Sequence, residues 1–220
     1  METKIQDCKE FLQRYWNYFL ILEKDFLATE RYLAIDTLNF KAYSNEYIKL
    51  YQTVCSEIDV IAKSYCGALG TKAKNINEYC QCITINNTDF TNRTVRLGEK
   101  SIDLQPWKNW LFTTEIQSDG KTKVSFISPD WWTKYNKVKH SRTTKNQETG
   151  LPYYKLANQE NVLNSLAALY QLEIYYYRYL HTQTSPNEPD VPYPPSQIFH
   201  IKDWQSHSVV IGSNIWFDTH

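Results

Sequence analysis

Glycine is scarce in this chain, with 6 residues in 220. That scarcity argues against glycine-rich phosphate loops and against a turn-rich all-β fold, which both need backbone positions that glycine adopts most easily. A charge excess of either sign is also lacking. Lys and Arg number 24, Asp and Glu 24, so the formal net charge is zero. No global field recruits nucleic acid, and a polyanion must be met by a local patch. No apolar run approaches the roughly 18 residues of a membrane-spanning helix. The opening METKIQDCKEF is charged and has no signal-peptide pattern. These absences lead to the expectation of a cytoplasmic protein with reduced thiols and no membrane partner. Cysteine is present without a pattern: Cys8, Cys55, Cys66, Cys80 and Cys82 are odd in number and scattered. Cys80-x-Cys82 is the one close pair. It lacks both the usual zinc-ligand gap and a second pair, so neither a metal nor another cofactor is expected. Asn86 and Asn92 sit in Asn-x-Thr sequons, which have meaning only in a secreted protein. Internal repeats are missing as well.

Aromatic residues are abundant. They make up 15% of the chain, with 17 Tyr and 7 Trp. Such side chains combine apolar area with a polar handle and suit wide helix–helix contacts or a subunit interface. The length fits one domain with a sizeable core. Ile5, Cys8, Leu12, Tyr15, Phe19, Leu22, Phe26 and Leu33 follow three–four spacing and predict a long amphipathic helix over 4–35. Ser44 reads as the N-cap of a second helix running to about Tyr65, with Tyr47, Leu50, Val54, Ile58 and Ile61 on its apolar face. A short helix is expected over 71–83. Residues 84–127 are β-prone pieces cut by turns, including a hairpin about Ser118-Asp119-Gly120. A last long helix is predicted over 158–180. The expected organisation is a mainly α bundle over 1–182 with a small β-hairpin insertion at about 84–127. A proline-rich linker (183–196) and a C-terminal β ribbon (197–220) follow, the ribbon packing on the bundle or on a partner.

The chemistry is concentrated in Ser128–Arg142. Ser128 is a good N-cap, Pro129 suits the first helical position, and Asp130 favours the positive end of the dipole. On the helix this predicts, Trp132, Asn136 and His140 fall four apart in one stripe. Lys134, Lys137, Lys139 and Arg142 lie close by in sequence and can bind RNA phosphates. An imidazole titrates near neutrality and can give or take a proton at a 2′-hydroxyl or a leaving 5′-oxygen. His140 and Asn136 are therefore the candidate catalytic pair, with no metal required. A lone histidine on a half-buried helix is also commonly structural. Glu57, Asp59, Lys63 and Tyr135 are supporting candidates. Asp59 and Lys63, four apart, read either as a surface ion pair or as an acidic group orienting a base on a neighbouring helix. Glu57 and Asp59 with a metal form a weaker alternative, since the Glu-x-x-His pairs of ferritin-like sites are missing.

YNKVKHSR at 135–142, followed by LANQENVLNSLAALYQL at 156–172, resembles the HEPN superfamily. The segment SEID (Ser56–Asp59), ahead of Lys63, resembles the acidic second-helix position of such proteins. The resemblance covers about 5–65 and 128–180. It implies an up-down helical bundle, commonly a homodimer, and in many members a metal-independent RNase of toxin–antitoxin, abortive-infection or CRISPR systems. Partners would then be RNA or a nucleotide, and an antitoxin or defence-system protein. The family signature, Arg-x(4)-His with a polar residue after the Arg, is matched at Asn136 and His140. Tyr135 stands where the family has the arginine that holds the scissile phosphate. Tyrosine has no fixed charge, and a lysine such as Lys134 lacks the bidentate fork. The second reading is accordingly a non-catalytic interaction or scaffold domain.

Overall fold

The structure, a computed structural model, describes residues 7–98, 100–184 and 190–204. The first helical run begins at α1 (Cys8–Phe11), capped by the Asp7 carboxylate on the Glu10 N–H at 2.8 Å. It passes through a π-helical turn (Leu12–Trp16) into α2 (Asn17–Ala28) and closes with a 3-10 turn, Thr29–Arg31. The π turn inserts extra backbone into the ladder. It falls where Phe11 and Trp16 both reach the interior. The expected helix over 4–35 is thus shorter at its end and interrupted within.

Helix α3 (Asn45–Ala68) starts where the sequence places it, with Ser44 Oγ accepting the Tyr47 N–H at 3.1 Å. Helix α4 (Ile76–Asn86) begins later than the sequence suggests, because Asn75 is the better cap: its side chain accepts from Asn77 and Glu78, both at 3.1 Å. Strands β1 (Val95–Leu97) and β2 (Ile102–Leu104) form one antiparallel pair. Strands β3 (Leu111–Ile116) and β4 (Thr122–Ile127) form a separate hairpin. Helix α5 (Asp130–Ser141) follows, then a 3-10 turn (Tyr153–Leu156) and α6 (Gln159–Thr184). Strand β5 (Phe199–Ile201) joins the free edge of β1, giving the order β2-β1-β5. The rest of the expected ribbon, including Val209, Ile211, Ile215 and Trp216, lies outside the described residues.

The described residues are mainly α, with two small antiparallel sheets. Side-chain contacts fix the helix directions. Tyr47 meets Gln159, Ser64 meets Tyr176, and the Tyr179 hydroxyl donates to Ala68 O, so α3 and α6 run parallel through the centre. Phe11 meets Tyr176 and Trp16 meets Tyr170, so α1–α2 run the other way. Between β2 and β3, Trp107 and Trp110 are sealed inside, with Trp107 Nε1 donating to Ala168 O at 3.1 Å. Burying each large ring removes roughly 150–250 Å² from water, about 4–6 kcal/mol at ~25 cal/mol per Å². These rings hold the β-containing stretch against α6. Among the described residues no helix is long and apolar enough to cross a membrane.

The proline-rich segment also docks. Trp16 Nε1 donates to Pro194 O at 2.7 Å, and the Glu23 carboxylate accepts from the Ser196 hydroxyl and the Gln197 N–H. The described residues 190–198 therefore lie as a strap across α1–α2.

Candidate functional site

Two tryptophans and a tyrosine seat helix α5. Trp131 Nε1 donates to Pro106 O at 2.6 Å, the Tyr51 hydroxyl donates to Trp131 O, and Trp131, Trp132, Tyr135 and Val138 are buried. Ser128 makes no capping bond. Pro129 is the N-cap, with extended ψ of 144°, and its carbonyl accepts from Trp132 and Thr133. Proline has fixed the turn into the helix without a side-chain cap.

The Trp132–Asn136–His140 stripe runs from core to solvent: Trp132 is buried, Asn136 half-buried and His140 exposed. On a helical wheel Lys137 falls on one side of the Asn136–His140 stripe and Lys139 on the other. Arg142, the C-cap, is exposed beyond Lys139. Neither Asn136 nor His140 hydrogen-bonds through its side chain to any described group, so neither ties α5 to a neighbour. The four predicted cations divide. Lys134 is ion-paired with Asp130. Lys137, Lys139 and Arg142 meet no carboxylate among the described residues. Lys137 instead lies over Tyr153 at 5.5 Å from the ring centroid, and Lys139 over Tyr135 at 5.6 Å. Nearby, Lys155 lies over Tyr43 at 5.0 Å, and Tyr43 meets Tyr154 edge-on at 5.8 Å. Cations and partly exposed tyrosines alternate over this surface.

Tyr135, which aligns with the arginine of the HEPN signature, is packed between Tyr51 and Trp132. Burial, with the charges of Cys55 and Asp59, pushes its phenol up to about 12. It brings no charge to the surface. Glu57 and Asp59 point to opposite sides of α3, as a two-residue step on a helix requires. Asp59 is half-buried beside Tyr79 and Tyr135. It forms no ion pair with Lys63 four residues on, and no hydrogen bond or ion pair joins it to His140. Glu57 turns instead toward Glu173 of α6.

The sequence does not mark Glu173 as a site residue, since it sits in an otherwise apolar stripe. It is fully buried, and neither carboxylate oxygen has a hydrogen-bond partner among the described residues. Desolvation, followed by the charge of Glu57, holds it protonated well above the usual carboxylate range. Desolvation alone raises Glu57 to about 7. The signal was a carboxylate amid Val162, Leu166, Leu169, Tyr176 and Leu180, but spacing does not say whether such a residue is sealed or edges out to water. A second feature, a cleft at the other ends of α3 and α6 containing Arg178, had no motif to mark it. Among the described residues no three His, Cys, Asp or Glu side chains gather as a metal ion would need, and no disulfide joins any of the five cysteines.

Compared with known proteins, the chain matches no family model, no curated protein and no solved structure.

Proposed function

We propose that the protein is a cytoplasmic, HEPN-like RNA-binding protein that cleaves single-stranded RNA without a metal, using the exposed end of α5. One observation carries this reading: His140 opens to solvent between Lys137, Lys139 and Arg142, none of which is neutralised by a described carboxylate. Phosphates would lie on these cations, and bases would stack on Tyr43, Tyr153 or Tyr154, the combination that single strands favour. In the reaction the 2′-oxygen loses its proton and attacks phosphorus. The bond to the 5′-oxygen breaks, and that oxygen gains a proton. The products are a 2′,3′-cyclic phosphate and a free 5′-hydroxyl. His140 carries out one of the two proton transfers, and His140 of a second copy in a homodimer the other. Asn136 orients the phosphate or the ring. A toxin or phage-defence setting, with an antitoxin-type partner, follows from the resemblance.

The test is purified protein incubated with mixed RNA in the presence of chelator, beside His140→Ala. Cyclic-phosphate ends from the wild type alone are expected. Equal products from both proteins remove His140 from the mechanism. Oligomeric state by sedimentation tests the dimer. A specific observation favours the second reading, a non-catalytic interaction domain: Tyr135 is buried where the family has its phosphate-holding arginine. On that reading the wild type binds no RNA and yields no products.

A further inference from the structure

An open cleft of about 390 Å³ lies where α3 and α6 end, walled by Tyr65, Tyr175, Tyr179 and Trp204. No residue of α5 lines it. Its volume lies within the range of small-molecule sites. The guanidinium of Arg178 lies 4.6 Å from the centroid of the Trp204 ring. It makes no ion pair or hydrogen bond with any described residue. A second guanidinium, Arg93, shares the same indole at 5.3 Å, but it is neutralised: its Nε donates to Asp89 at 2.8 Å and to the Tyr175 hydroxyl at 3.3 Å. Two cations therefore flank one ring with a single carboxylate between them. Stacking on an indole occupies a face of the guanidinium and leaves its N–H edges for an acceptor. Trp204 Nε1 is sealed from water and has no hydrogen-bond partner among the described residues. The cleft offers the uncommitted N–H edges of Arg178, is short of one negative charge, and is lined by aromatic faces, the Tyr65 and Tyr179 hydroxyls being already engaged.

We infer that this cleft binds a small organic anion: a flat ring joined to a phosphate or a carboxylate, the ring against the tyrosines and the anion on Arg178. A bare inorganic anion would leave the aromatic walls unused, and a neutral ring would leave the cation unpaired. The inference is independent of the RNA surface on α5.

The test is calorimetric titration of the full chain with two acids, adenosine 5′-monophosphate and indole-3-acetate, and with their neutral counterparts, adenosine and indole-3-ethanol. At least one acid is expected to saturate by low-millimolar concentration. Its neutral counterpart should bind at least about tenfold more weakly, the loss expected for one charge-assisted contact. Which acid binds distinguishes phosphate from carboxylate. Arg178→Met should bring the acid to the level of its neutral counterpart, Arg178→Lys should keep part of the difference, and Lys123→Ala on the exposed β3–β4 hairpin should leave acid binding unchanged. Added salt should weaken wild-type binding of the acid, a readout that needs no variant to fold. Saturation by neither acid, equal binding of acid and neutral compound, affinity indifferent to salt, or full affinity in a folded Arg178→Met protein would each overturn the inference.

Discussion

Glu173 is the residue whose cost to the fold is easiest to measure. A carboxyl with no partner in the interior persists by keeping its proton. Its folded-state affinity for that proton is raised above the unfolded value of about 4.5, as is that of Glu57. Well below the unfolded value both states are protonated and the stability is fully present. As pH rises from there toward 7, the unfolded chain releases protons that the folded chain retains, so unfolding becomes easier. The melting temperature should therefore fall between pH 5 and pH 7, and Glu57→Gln should reduce the fall. Beyond about pH 7 Glu57 ionises in both states, and its charge adds to desolvation in opposing the ionisation of Glu173. Glu173→Met should raise stability at pH 8 by about 1–4 kcal/mol, read from urea unfolding, because it replaces an unpaired buried carboxyl by a side chain that needs no partner. Equal stability of this variant and the wild type at pH 8 would show that the pair finds compensation. His140 is the opposite case. Exposed and without a described hydrogen bond, it should cost less than about 0.5 kcal/mol when changed to alanine, while on the proposed function RNA cleavage is lost.

At the scale of elements, the strap over 190–198 depends on Glu23 of α2. One carboxylate accepts the Ser196 hydroxyl, the Gln197 N–H at 2.9 Å and the Ile198 N–H at 3.4 Å. The strap in turn delivers β5 to the edge of β1, where Phe199 and Ile201 are buried. Glu23→Ala should destabilise the protein by about 1–3 kcal/mol, the cost of stripping partners from part-buried donors. Hydrogen exchange at Gln197 and Ile198 should speed up before that of α3 or α6. Exchange rising equally everywhere would mean that strap and bundle open as one unit.

At the scale of the molecule, zero net charge makes any polyanion binding local. Steering cannot come from the whole surface, so on the proposed function RNA affinity should depend on a few cations near the end of α5. Replacing Lys137, Lys139 and Arg142 together by alanine should weaken binding in a fluorescence-anisotropy titration. It should also reduce the slope of log affinity against log salt by about 2, since each phosphate contact on a single strand contributes about 0.7. An unchanged slope would place the polyanion elsewhere on the protein.

Periodicity and capping were enough to delimit the central helices. Ser44 and the apolar stripe from Tyr47 to Ile61 mark α3, and the stripe from Val162 to Leu180 marks α6, because a helix must bury one face and satisfy its first N–H groups locally. The same logic put Asn136 and His140 on one line. Only the tertiary structure decided which groups meet water and which meet each other. It sealed Tyr135 and opened His140 one turn further on, turned Glu57 inward to Glu173, and set Arg178 beside Trp204 across a wide gap in sequence. Burial and pairing are properties of neighbours, and neighbours brought together by packing leave no periodic trace along the chain.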